Sequence, residues 1–221
     1  MEYDGIPYRV IAPDAEIGEG TVIMPFTVIG SGVKIGRNCY VGQGCCVNRG
    51  ATIGDGCFFA GNCIIGSQPM VYENEPSAMD DTVKIGSGVT FLWSCSVEAG
   101  CTVISDNVFV SQNCTVQRGV FIGEECILLP NCYIALSSRL EGQNRLAANT
   151  VVGKYVVLEK GVCSGLNCVF GNKMMYKKQS EKKITLGDFD GGNTYGSIFA
   201  LPMKEFFLLR KKVRSIMKGD K

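Results

Sequence analysis

An apolar residue returns at every sixth position along this chain. From Ile11 it recurs at Ile17, Ile23, Ile29, Ile35, Val41, Val47, Ile53 and Phe59 to Ile65 without a slip. A second run takes in Ile85, Phe91, Val97 and Val103. After one extra residue a third runs from Val110 through Val116, Ile122, Leu128 and Ile134 to Phe170, broken in type only by Ser164. A helix of period 3.6 cannot keep every sixth residue on one face over so long a stretch, whereas short strands joined by corners can. Glycines that follow their markers, among them Gly18, Gly30, Gly36, Gly42 and Gly54, suit such corners. The period predicts a solenoid of stacked strands.

Four residues after each marker stands a small or β-branched residue: Ala15, Thr21, Thr27, Val33, then a series of cysteines. The chain has 12 cysteines, and Cys39, Cys45, Cys57, Cys63, Cys95, Cys101, Cys114, Cys126, Cys132 and Cys168 share this slot, with Cys46 and Cys163 outside it. No CxxC pair occurs and histidine is absent. The phase predicts thiols that act as small buried hydrophobes, not disulfides or a metal site.

Two segments leave the pattern. Residues 67–82, SQPMVYENEPSAMDDT, are too polar and proline-bearing for a coil and are expected to form a loop of the kind that builds a pocket. After the last coil, Pro202 suits a first helical turn. Met203, Phe206, Phe207, Val213, Ile216 and Met217 recur near helical spacing, with Lys204, Arg210, Lys211, Lys212 and Arg214 between them. The expected organisation is a β-helix over 1–172 with the inserted loop 67–82, then an extension over 173–221 carrying one amphipathic basic helix. The net charge of +1 does not suggest a nucleic-acid partner, and no apolar run has the length of a membrane span. The opening MEYDGIPYRV lacks a basic head followed by a hydrophobic stretch, so a cytoplasmic protein is expected.

The form [LIV]-G-x-x-[small]-x resembles the hexapeptide repeat of the left-handed β-helix acyltransferases. The resemblance implies an all-β fold: a left-handed parallel β-helix of about eight triangular coils with a C-terminal α-helical tail, roughly 40 Å long at a strand spacing of about 4.8 Å. Coils, mid-chain loop and C-terminal helix together are similar to the UDP-N-acetylglucosamine O-acyltransferases and related nucleotide amino-sugar N-acyltransferases, over about residues 10 to 172. The loop of those enzymes reads Gln-Asp-x-x-Tyr-x-x-Glu-Pro, and Gln68, Pro69, Tyr72, Glu75 and Pro76 stand in that order, with proline in place of the aspartate. Their closing Gly-Asn-Pro-Ala-Lys turn is echoed by Gly171, Asn172 and Lys173. Their catalytic coil aligns on Asn113 to Gly123, where the base falls on Arg118 and its carboxylate partner on Gly119; other family histidines fall on Glu98, Ser137 and Gly153.

By that resemblance Glu98 and Gln117 are candidate catalytic residues. Gln68, Tyr72, Asn113 and Arg118 are candidate substrate contacts, and Lys154, Asn172 and Lys173 candidate contacts to the acyl donor. Acyl-CoA or acyl carrier protein would serve as co-substrate, with no permanently bound cofactor and no metal, and the assembly would be a homotrimer. The lost histidine changes the chemistry expected. A general base supplies roughly 10²- to 10⁴-fold, while positioning two reactants supplies about 7 to 11 kcal/mol. A neutral amine is already nucleophilic where a hydroxyl is not, so the sequence favours N-acylation of an amino sugar. A non-catalytic β-helix serving as scaffold or subunit is the alternative.

Overall fold

The computed structural model describes residues 8–68, 81–176 and 194–195. Its strands, most of only two residues, stack into three parallel sheets of nine strands each, and the described residues contain no helix. Val10 pairs with Val28, Val28 with Cys46 and Cys46 with Ile64, so one coil takes three hexads and the cross-section is a triangle. We number the faces in chain order: strand Val10–Ile11 opens the first, Glu16–Ile17 the second and Val22–Ile23 the third. Corners are named likewise: first to second face is the first corner, second to third the second, and third back to first the third. Strands Met175–Tyr176 and Thr194–Tyr195 extend the second and third faces, giving nine coils where the spacing predicted about eight.

The strict period has a simple cause. In a two-residue strand one side chain points out and the next in, so Val28 is exposed while Ile29 is 1% exposed. Each fully buried marker stabilises the coil by about 1.5–3 kcal/mol relative to solvent exposure. Inside, the rings of Phe59 and Phe91 stack at 5.3 Å in successive coils. Ser164 keeps a marker position because its hydroxyl meets Thr150 Oγ1 at 2.8 Å and accepts the Ala147 N–H at 2.8 Å.

The inward slot has its own hydrogen bond. Thr27 Oγ1 donates to the Gly42 carbonyl at 3.1 Å and Ser138 Oγ to that of Gly153 at 2.6 Å, each crossing to the corner of the next coil. Cys39, Cys63 and Cys95 do the same through sulfur, to Gly54 at 3.1 Å, Leu92 at 3.0 Å and Ser111 at 2.9 Å. The thiol thus adds a weak donor for a corner carbonyl to its apolar bulk. Gly42 shows how tight these corners are, since a Cβ there would collide with the Ala60 carbonyl oxygen.

Two expectations about phase need correction. Thr102 and Ile104 point inward while Val103 is only partly covered, so the extra residue falls before the strand Thr102–Ile104 and not after it. It is absorbed in the corner that follows Glu98. Cys101 consequently leaves the inward slot: it is exposed, in the left-handed region at φ 58°, and Thr102 takes the buried place. The helix expected in the C-terminal extension lies outside the described residues, as does the loop from Pro69 to Asp80.

Candidate functional site

Most of the residues singled out in the sequence stack along one edge of the prism. Ser67 pairs with Glu98, Val97 with Val116, Val116 with Ile134, Ile134 with Val152 and Val152 with Phe170. The residues just after these strands therefore climb the first corner in order: Gln68, Glu98, Gln117 with Arg118, Leu136, Lys154, and Asn172 with Lys173. The long insertion opens from the same corner. Ser67, where it begins, accepts the Ala99 N–H at 2.9 Å, and at its far side Asp81 pairs with Arg49 at 3.3 Å.

At the centre, the Arg118 backbone N–H donates to Glu98 Oε2 at 3.1 Å. Arg118 is 6% exposed, a buried cation on this edge. One coil on, the Leu136 N–H donates to Gln117 Oε1 at 3.0 Å. The Gln117 side-chain carbonyl is thereby engaged, and what its amide can offer a ligand is its NH2 donor. Leu136 escaped the sequence reading because its contribution is a backbone donor, which no side-chain motif marks. Further along, the Lys154 N–H donates to Asn172 Oδ1 at 2.8 Å and the Lys173 N–H to the Lys154 carbonyl at 2.8 Å. These three residues form one cluster, about 10 Å or more beyond Arg118 at two to three strand spacings.

Asn113 does not join them. It sits on the third corner at φ 58°, its N–H donating to the Trp93 carbonyl at 2.9 Å, with the strand Thr115–Val116 between it and Arg118. Tyr72 lies outside the described residues.

The bonds of Glu98 and Gln117 also belong to a general pattern. The N–H of a corner's second residue is left out of the strand ladders, and a carboxylate or amide from an adjacent coil takes it up at several corners. Asp55 accepts the Arg37 N–H at 2.7 Å and Asp106 that of Ser87 at 2.7 Å. The Arg37 backbone N–H beside Asp55 is the main reason its carboxyl is held below the usual carboxylate range.

A family model described as bacterial transferase hexapeptide (six repeats) matches residues 14–49. No curated protein matches the sequence. Among solved structures, the UDP-N-acetylglucosamine acyltransferase from Arabidopsis is 18% identical, matched over 86% of this chain and 70% of its own, at a TM-score of 0.55. The enzyme from Campylobacter jejuni is 23% identical over 87% and 71%, at 0.52. That from Francisella novicida is 19% identical over 87% of this chain at a TM-score of 0.46, and the match spans 66% of that enzyme's length, just under two thirds. By repeat and by fold, the chain is a hexapeptide-repeat left-handed β-helix of the kind on which the UDP-N-acetylglucosamine acyltransferases are built.

Proposed function

We propose that this protein is an acyltransferase that moves an acyl group from acyl-CoA or acyl carrier protein to the amine of a nucleotide-linked amino sugar, as a homotrimer in the cytoplasm. One observation carries the reading. Two departures from the coil length, the insertion 67–82 and the extra residue after Glu98, fall on the same corner of consecutive coils, where Gln68, Glu98, Gln117 and Arg118 are gathered, whereas the long connection from Tyr176 to Thr194 stands apart on the second corner of the last coil. A solenoid needs neither departure for packing, and a ligand site needs both relief and polar groups.

In this scheme the neutral amine attacks the thioester carbonyl carbon, the C–S bond breaks, and the proton of the resulting ammonium goes to the departing thiolate, whose pKa of about 8.5 suffices to take it. Glu98 orients the amine through the carboxylate oxygen not bound to Arg118 N–H. The Gln117 amide donates to a substrate oxygen, and Arg118 balances the nucleotide's diphosphate. Lys154, Asn172 and Lys173 hold the donor; Gln68 and Tyr72 approach the sugar, and Asn113 reaches a site only from a neighbouring subunit. The test is a panel of amino-sugar nucleotides with acetyl-CoA and longer donors, read by mass spectrometry. An acylated amine supports the proposal; no product and no coenzyme A binding would end it. The same corner-capping bonds at Asp55 and Asp106 favour the second reading, a non-catalytic scaffold in which Glu98 and Gln117 serve the corner alone.

A further inference from the structure

Behind the third corner the inward slot runs from Thr27 through Cys45, Cys63, Cys95, Cys114 and Cys132 to Thr150. Five thiols thus follow one another in successive coils. Cys46 pairs with Ile64, Ile64 with Ser96, Ser96 with Thr115 and Thr115 with Tyr133, so the cysteines that precede these residues stack in register, one strand spacing apart. All five are buried. The Cys63 thiol is engaged with those of Cys45 and Cys95, and the Cys114 thiol with those of Cys95 and Cys132. Packing and a donor for the corner carbonyl do not by themselves call for sulfur, because Thr27 meets both demands from the same slot. The equivalent slot behind the first corner is filled at most coils by alanine or valine, as at Val33, Ala51, Val83 and Val120.

Spacing decides what such a column can do. Side chains in register on parallel strands stand about 4.8 Å apart. A disulfide needs Cβ atoms about 3.5–4.5 Å apart, so the column is set too wide for one without backbone movement. A metal ion on the line between two sulfurs, at about 2.3 Å from each, needs about 4.6 Å. Among the described residues no three or more Cys, Asp or Glu side chains gather as a metal cage, so the ion must accept two ligands in line. Zinc, with its four ligands, does not suit that geometry, whereas soft Cu(I) favours sulfur and accepts it.

We infer that neighbouring thiols of this column bind Cu(I) as two-coordinate bridges from coil to coil. In each bridge two Cu–S bonds form and one of the two thiols releases its proton to solvent, so the bridged pair is neutral and no net charge is buried. The column has room for two bridges at a time, each tying one coil to the next. The inference is independent of any acyl transfer.

The test uses the full-length chain carrying Cys39→Thr, Cys46→Ser, Cys101→Ser and Cys163→Ser, which keeps the column and removes the less buried thiols and the stacked Cys39–Cys57 pair. Titrated anaerobically with Cu(I) as its acetonitrile complex, this protein should take up about two ions with its β-sheet circular dichroism intact, and its melting temperature should rise. X-ray absorption should show two sulfur neighbours per copper at about 2.3 Å. Trp93, the only tryptophan, lies two residues from Cys95, and its emission should be quenched. Adding Cys63→Thr and Cys114→Thr leaves no two cysteines adjacent in the column and should abolish uptake. Undiminished uptake in that variant would overturn the inference, as would no uptake by the first protein or uptake only once its sheet signal is lost. Should the added substitutions prevent folding, the X-ray absorption of the first protein decides alone: three or more ligands per copper, or ligands other than sulfur, would end the proposal.

Discussion

Glu98 and Arg118 lie 20 residues apart in sequence and one coil apart in space, joined by a 3.1 Å hydrogen bond from the Arg118 N–H to the Glu98 carboxylate. That bond closes a corner, the proposed function adds a contact to the acceptor amine, and substitution separates the two roles. Glu98→Gln keeps an acceptor for the N–H and should melt as the parent does, while lowering kcat modestly, inside the roughly 10²- to 10⁴-fold reach of a base. Glu98→Ala removes the acceptor as well and should lose about 1.5–3 kcal/mol of stability. Arg118→Ala should weaken nucleotide binding. In the parent, the rate should rise with pH as the acceptor amine loses its proton. A Glu98→Gln enzyme at full rate would return Glu98 to the corner alone.

Thiol labelling should follow the exposure of the cysteines. Cys101 should react with a disulfide reagent first, Cys46 and Cys163 more slowly, and the other nine only on unfolding, because those are buried. The ordered release of thiolate, with peptide mapping of the first site, checks this. Early labelling of Cys63 or Cys95 would mean that the interior opens.

At Cys95, replacement by threonine should be milder than replacement by alanine. Thr27 makes the equivalent corner bond from the same slot, whereas alanine leaves the Ser111 carbonyl without its 2.9 Å partner and vacates the sulfur volume. The alanine variant should lose about 1–3 kcal/mol, the threonine variant less, as read from denaturant midpoints.

Alkali should destabilise the fold before it affects an ordinary β-protein. Burial pushes the thiols of Cys57 and Cys168 up to about 12 and that of Cys126 to about 11, from the usual 9.0. A thiol that resists ionisation in the folded chain contributes its full stabilisation below about pH 9 and loses it as pH climbs toward the folded value. The melting temperature should fall between about pH 9 and 11, and Cys57→Val should flatten that decline.

Homotrimer formation should appear as a threefold mass in light scattering at micromolar concentration, independent of reducing agent. A monomer there would remove the intersubunit site to which Asn113 was assigned.

Much of this architecture was legible in the sequence because burial alternates in phase with the hexads from Ile11 to Ile65. The misplaced slip shows where such legibility ends. Val103 and Ile104 are both β-branched and apolar, and Cys101 and Thr102 are both small, so hydropathy alone cannot say which of each pair turns inward. Only the paired registers Val83 to Thr102 and Ile85 to Ile104 decide it. At the candidate site, the alignment of Glu98 with Gln117 and Arg118 followed from counting coils. The capture of the Leu136 N–H by Gln117 did not, since that donor belongs to the main chain. The separation of Asn113 from Arg118 was hidden for another reason. Its place in the catalytic coil is a distance along the chain, and a triangular coil puts residues of one hexad at opposite ends of a face.

The two irregular turns at the first corner leave the third corner undisturbed, where every connection between described strands has the same length. Along that corner coil follows coil without a change of length, and the Asn131, Asn149 and Asn167 amides bridge neighbouring coils at 3.0 and 2.8 Å. Variation in length is thereby decoupled from the interior: residues can be gained or lost at the first corner while every inward side chain keeps its neighbours above and below. A lineage built on this plan could reshape the surface of its first corner without re-solving the packing of its core.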